Sequence, residues 1–191
     1  MAEERERTLD RDRIEGLRAA LPRVLAWIEV ELDRRRPGVR PVADVARERG
    51  MQRLTRALPA DLLARAQADL VSRPPFPPLG ALGLTELADF EKLPLDGITY
   101  GDLVLVRELH ERLLFHELVH VLQWERLGPE RFLLAYGTGL LRAGYRASPL
   151  EQMAYELEQR FVHGELPADV PGEVARATDL VWDDAERWLA G

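Results

Sequence analysis

The segment His116-Glu117-Leu118-Val119-His120 lies inside a stretch from Arg107 to Trp124 that contains neither Gly nor Pro. The stretch reads as one uninterrupted helix, with Leu114, Leu118, Val121 and Leu122 as an apolar stripe opposite the histidines. In a helix, residues i and i+4 share a face about 6 Å apart, so both imidazoles can reach one metal ion. Glu117 sits one residue round and can address a water held at the same point. This constrains the fold: the helix must be half-buried, and other elements must enclose its histidine face. The plainer alternative is a pair of histidines satisfied by hydrogen bonds on a core helix.

Catalytic zinc usually takes three protein ligands and leaves the fourth position open, so a third ligand is expected downstream. Ser148-Pro149-Leu150-Glu151 opens a helix, with Ser148 as N-cap and Pro149 at the favoured first position. At about 100° per residue, Glu151, Tyr155 and Glu158 share a face, whereas Glu156 points some 140° away and His163 about 120° away. Glu151 is the expected third ligand, Glu158 a weaker candidate about two turns on. His163 would serve only if the helix broke early. A solvated helix-dipole partner is the ordinary role for a glutamate in a first turn.

His116-Glu117-x-x-His120 followed by Ser148-Pro149-x-Glu151-x-x-Ala154-Tyr155 resembles the gluzincin class of zinc metallopeptidases, and within it the small single-domain minigluzincins. Compact bacterial members read HExxHxxQ, and Gln123 matches that glutamine. The likeness covers about Ile98 to Phe161. It implies one Zn2+ per chain on His116, His120 and Glu151, with Glu117 as general base. Larger members place an aspartate four residues after the ligand glutamate to orient a zinc histidine; Tyr155 stands there, and its hydroxyl or a backbone carbonyl would take that part. Tyr145 and Tyr136 are candidates to stabilise the tetrahedral intermediate, although a half-buried aromatic with its hydroxyl at the surface is the commoner use of either.

Ile98 to Val106 reads as a strand beside the metal, opened by Gly97. In zincins an edge strand there receives an extended peptide; an ordinary buried strand packed on the motif helix has the same pattern. The chemistry expected is hydrolysis by a zinc-activated water with no covalent intermediate. The chain has no cysteine, which excludes thiol nucleophiles and cysteine-rich zinc modules.

The net charge of −7 and the interleaving of 26 Lys plus Arg with acids argue against a nucleic-acid or membrane surface and for a peptide or protein partner. The charged N-terminus shows no signal peptide or transmembrane segment, so a cytoplasmic protein is expected. The 191 residues, 46% of them hydrophobic, suit one domain. It divides into an N-terminal helical layer (1–72), a Pro-rich connector (73–84) and a zincin-like catalytic half (85–191). Helices are expected over Leu9 to Arg36, with a kink at Pro22, and over Ala43 to Arg49, Pro59 to Ser72, Thr85 to Glu91 with Thr85 as cap, Pro129 to Arg142 and Gly172 to Ala190. Arg73-Pro74-Pro75-Phe76-Pro77-Pro78 reads as a stiff connector packed across the surface, with a flap over the cleft as the alternative. The fold class is α+β, mostly helical and zincin-like, with a small β-sheet next to the HExxH helix. A zinc-dependent peptidase leads, ahead of a non-catalytic zinc-containing regulatory or binding domain and a metal-free helical protein.

Overall fold

A computed structural model describes residues 2–191, with side chains from residue 10 onward. The architecture is a mostly helical α+β fold around a small four-stranded mixed sheet. Helix α1 (Ala2–Arg35) runs through Pro22 and buries Ile14, Leu17, Val24 and Ile28 on one face. Strand β1 (Arg40–Pro41), helices α2 (Val42–Arg49), α3 (Gln52–Ala57) and α4 (Ala60–Arg65), and strand β2 (Gln67–Leu70) follow. A 3-10 helix, Thr85–Lys92, precedes the hairpin of β3 (Gly97–Tyr100) and β4 (Leu103–Val106). Three helices close the fold: α5 (Glu111–Ala143), α6 (Pro149–His163) and α7 (Val170–Ala190).

The strand order is β1-β2-β4-β3, with β2 parallel to β4 and the outer pairs antiparallel. All four residues of Leu-Val-Leu-Val in β4 are buried, as befits a central strand covered on both faces. Val104 and Val106 join a core with α2 to α4, the first half of α5 and α6; Leu103 and Leu105 join a second core with α1 and the far half of α5. Alternation along one strand thus binds both cores together. The sheet draws strands from both sides of the Pro-rich connector.

Several boundaries differ from the sequence expectation. Ile98 to Val106 is a hairpin rather than one strand, turning at Gly101 with φ 61°, a left-handed conformation suited to Gly. The helix expected over Pro59 to Ser72 stops at Arg65, and Gln67–Leu70 becomes a strand because its backbone groups pair with β4. The motif helix starts at Glu111, where the His110 ring accepts from Leu113 N–H as N-cap. It bends at Gly128 (φ 72°, ψ 168°) before Pro129, which divides α5 into two helical halves. Leu84, rather than Thr85, occupies the N-cap of the 3-10 helix. No helix among the described residues is long and apolar enough to cross a membrane.

Candidate metal centre

The first half of α5 turns His116 and His120 inward, and the first turn of α6 brings Glu151 across from them; all three are buried. Their ligand atoms lie within 4.8 Å of one another. His116 Nε2 is 3.6 Å from Glu151 Oε2, and His120 Nε2 is 3.4 Å from Glu151 Oε1. The other ring nitrogens are engaged from behind. His116 Nδ1 lies 2.9 Å from Glu158 Oε2, and His120 Nδ1 lies 2.8 Å from Gln123 Oε1. Gln123 spends its amide N–H on the carbonyl of Leu150, which leaves its oxygen to accept. An acceptor behind each ring makes Nδ1 the donor and aims both Nε2 atoms at the Glu151 carboxylate.

This donor set fits a metal ion. Glu151 Oε2 is buried, and the facing His116 Nε2 at 3.6 Å lies beyond hydrogen-bond reach, which costs free energy unless a cation, imidazolium or metal, closes on it. Two imidazoles and a carboxylate suit zinc, and equally other first-row divalent ions. The electrostatics point the same way. Burial opposes charge on His116, but Glu151 and Glu158 outweigh it and hold the imidazolium up to about 10. His120 is also raised, burial again opposed by the nearby Glu151 charge, and Glu151 is depressed well below the usual carboxylate range by both histidines despite its burial. The pocket thus concentrates negative potential that favours positive charge at this point.

Glu117 faces the same space from α5. Burial pushes its carboxyl up from the ordinary value, in the direction a general base near neutral pH requires. Its Oε2 accepts from Thr99 Oγ1 at 2.7 Å, which fixes the side chain against β3. Gly97 makes room for it: a Cβ there would fall 2.3 Å from Glu117 Oε1. Thr99 and Gly97 were not singled out as site residues in the sequence; the glycine opening a strand was their only local signal.

Tyr136, on the second half of α5, donates to Glu151 Oε1 at 2.6 Å, so it steadies the carboxylate. Tyr145 borders the cluster with its hydroxyl beside that of Tyr155, and burial keeps it protonated. The expectation that Tyr155 orients a histidine by hydrogen bonding does not hold. Glu158 takes the His116 N–H, two turns along the helix from Glu151, while the Tyr155 ring packs 4.7 Å from the His116 ring, tilted by 56°. Glu158 is itself held by Arg112. His163 sits exposed in the last turn of α6, its Nδ1 on the Gln159 carbonyl, away from the cluster.

Two cavities meet at His116 and Glu117. One is apolar and runs from the cluster between α1, the segment Phe76 to Leu87 and α5, with room of about 100 Å³ for the centres of water-sized spheres. The other is a polar cleft bordered by Asp96, His110, Arg112 and Arg146. Phe76 and Pro77 of the Pro-rich connector line the apolar cavity, so the connector lies near the cleft, held there by Tyr100 O–H on the carbonyl of Pro75 at 2.8 Å. Strand β3 forms the edge beside the cluster, but its Thr99 carbonyl already accepts from Trp124 Nε1 at 3.1 Å. Comparison with known family models, curated proteins and solved structures gives no match.

Proposed function

We propose that this chain is a zinc-dependent peptidase. The observation that carries the reading is the unpartnered Glu151 Oε2, buried opposite two Nε2 atoms that Glu158 and Gln123 orient from behind, with the Glu117 carboxylate beside them. His116, His120 and Glu151 would hold the ion. When bound, zinc supplies a Lewis acid that acidifies a water and polarises a carbonyl. Glu117 accepts the proton as the water oxygen bonds to the carbonyl carbon, and returns it to the amine as the C–N bond breaks. Thr99 holds Glu117 Oε2, which leaves Oε1 for that transfer. Tyr145, kept protonated, donates to the oxyanion. A purely structural metal site has no use for a buried carboxylate placed as Glu117 is, which favours hydrolysis over a non-catalytic metal domain.

The test is metal content per chain, by inductively coupled plasma mass spectrometry, for wild type, His116→Ala and Glu151→Ala, together with hydrolysis of a mixed peptide library. About one zinc per wild-type chain, lost in both variants, is expected. Glu117→Gln should keep the metal and lose hydrolysis. Zinc uptake by Glu151→Ala equal to wild type would remove Glu151 from the ligand set, and no uptake by wild type would end the metal reading.

A further inference from the structure

The apolar cavity is built largely by elements outside the metal cluster. Leu17, Leu21, Val24 and Ile28 follow one another along α1 at spacings of four, three and four, so one helical stripe forms a wall. Phe76, Leu79, Leu84 and Leu87 face it from the connector and the 3-10 helix. The wall is fixed in place: α1 approaches α5 so closely at Gly137 that a Cβ there would fall 2.5 Å from Leu17 Cδ1. Thr99, Tyr136 and Tyr145 gather their polar atoms around the cluster, and the two other polar side chains on the cavity, Tyr100 and Trp124, spend their donors on the carbonyls of Pro75 and Thr99. An occupant must therefore present polar atoms to the cluster and apolar bulk to the rest.

Resting on the peptidase reading above, we propose that this cavity is the specificity pocket for a bulky apolar side chain adjoining the scissile peptide bond, and that Leu21 and Val24 of α1 set its depth. The room of about 100 Å³ far exceeds the roughly 10–15 Å³ that one water centre needs, and apolar cavities of this kind take apolar guests in preference to water. A peptide is favoured over a detached acyl chain because the same two residues, His116 and Glu117, open on their other side into the polar cleft. There the exposed Arg146 and Arg112 border the path of a solvated main chain. One side of the bond is thus selected for apolar bulk and the other for polar residues. Peptides with Leu or Phe at the pocket should outrun those with Ala or Asp by about 10- to 100-fold.

The experiment needs no known substrate. Straight-chain hydroxamates from acetyl to octanoyl are titrated calorimetrically into the full chain, zinc-loaded and metal-stripped. Each added methylene should tighten binding about fourfold until the pocket is full, after which the gain stops. Leu21→Trp should bring that limit to a shorter chain at unchanged zinc content; the wild-type series stands alone if the variant does not fold. Affinity independent of chain length, with a zinc-dependent head group, would overturn the pocket and leave the metal reading intact. A chain-length gain with equal affinity at every length with and without zinc would support the pocket and count against the metal. Affinity still climbing at octanoyl would overturn the side-chain assignment in favour of an acyl chain.

Discussion

Replacing Gly97 by Ala puts a Cβ 2.3 Å from Glu117 Oε1, 2.8 Å from Cδ and 3.1 Å from Cγ. Carbon contacts settle near 3.5–4 Å, so the carboxyl end must retreat by more than about 1 Å. The backbone offers no objection, since Gly97 is not among the glycines with positive φ, and an Ala in a strand ordinarily gains about 0.5–1 kcal/mol over Gly. The space decides the sign. Glu117 is 3% exposed and held by Thr99, so its displacement should cost about 1–3 kcal/mol, a fall in Tm of roughly 3–10 °C. Misplacing a catalytic group by about 1 Å should slow hydrolysis on the order of 100-fold, with zinc content unchanged. The assay is a double-mutant cycle by thermal denaturation. In a Glu117→Ala background the added methyl meets open space, so most of the penalty should vanish. An equal penalty in both backgrounds, or a rise in Tm for Gly97→Ala alone, would refute the argument.

Glu158→Gln weakens the acceptor behind His116 and should lower zinc affinity by about 10- to 100-fold in a chelator competition; unchanged affinity would mean that His116 needs no such support. Tyr136→Phe removes the donor to Glu151 Oε1 and should cost about 1–3 kcal/mol by denaturant unfolding of the metal-free chain, whereas a neutral result would show the carboxylate satisfied elsewhere. For pH, the raised His116 contributes stability to the metal-free chain that is full below about 6.5 and lost as pH climbs through about 10. The depressed Glu151 contributes above about 4.5 and loses its share on acidification. Zinc must displace the protons that the raised histidines hold, so the stabilisation by zinc, read as a rise in Tm, should grow between pH 6 and 8, its free energy by at most about 1.4 kcal/mol per pH unit per proton displaced. An increment flat over that range would show that the histidines bind no proton in the metal-free state. Tyr145→Phe should reduce hydrolysis by about 10- to 100-fold at constant zinc content, and full activity would exclude it from oxyanion stabilisation.

Local pattern carried the parts of the site that lie on single helices. The spacing of His116 and His120 places them on one face whatever else the chain does, and Pro149 fixes the start of α6 closely enough to aim Glu151 inward. Glu158 was visible on the same face as Glu151, but whether it would meet the metal or the back of a histidine depends on how α6 lies against α5. The lone Gln67–Leu70 stretch reads as the tail of a helix because Gln, Ala, Asp and Leu have little strand preference; only pairing with β4 makes it a strand. Tyr155 fails as an acceptor for the same kind of reason: a shared helical face gives direction, but not reach.

Local pattern is enough to make one helix present two imidazoles and a carboxylate together, because helical periodicity acts over four residues and needs no partner. The sequence by itself also determined the mostly helical character and the absence of thiol chemistry. Tertiary structure decided that Gly97 and Thr99 house Glu117, that Glu158 and Gln123 aim the histidines, and that α1 and the Pro-rich segment wall an apolar cavity beside them. Those contacts join residues up to about a hundred positions apart. Their geometry follows from how whole elements pack, and no short-range pattern encodes it.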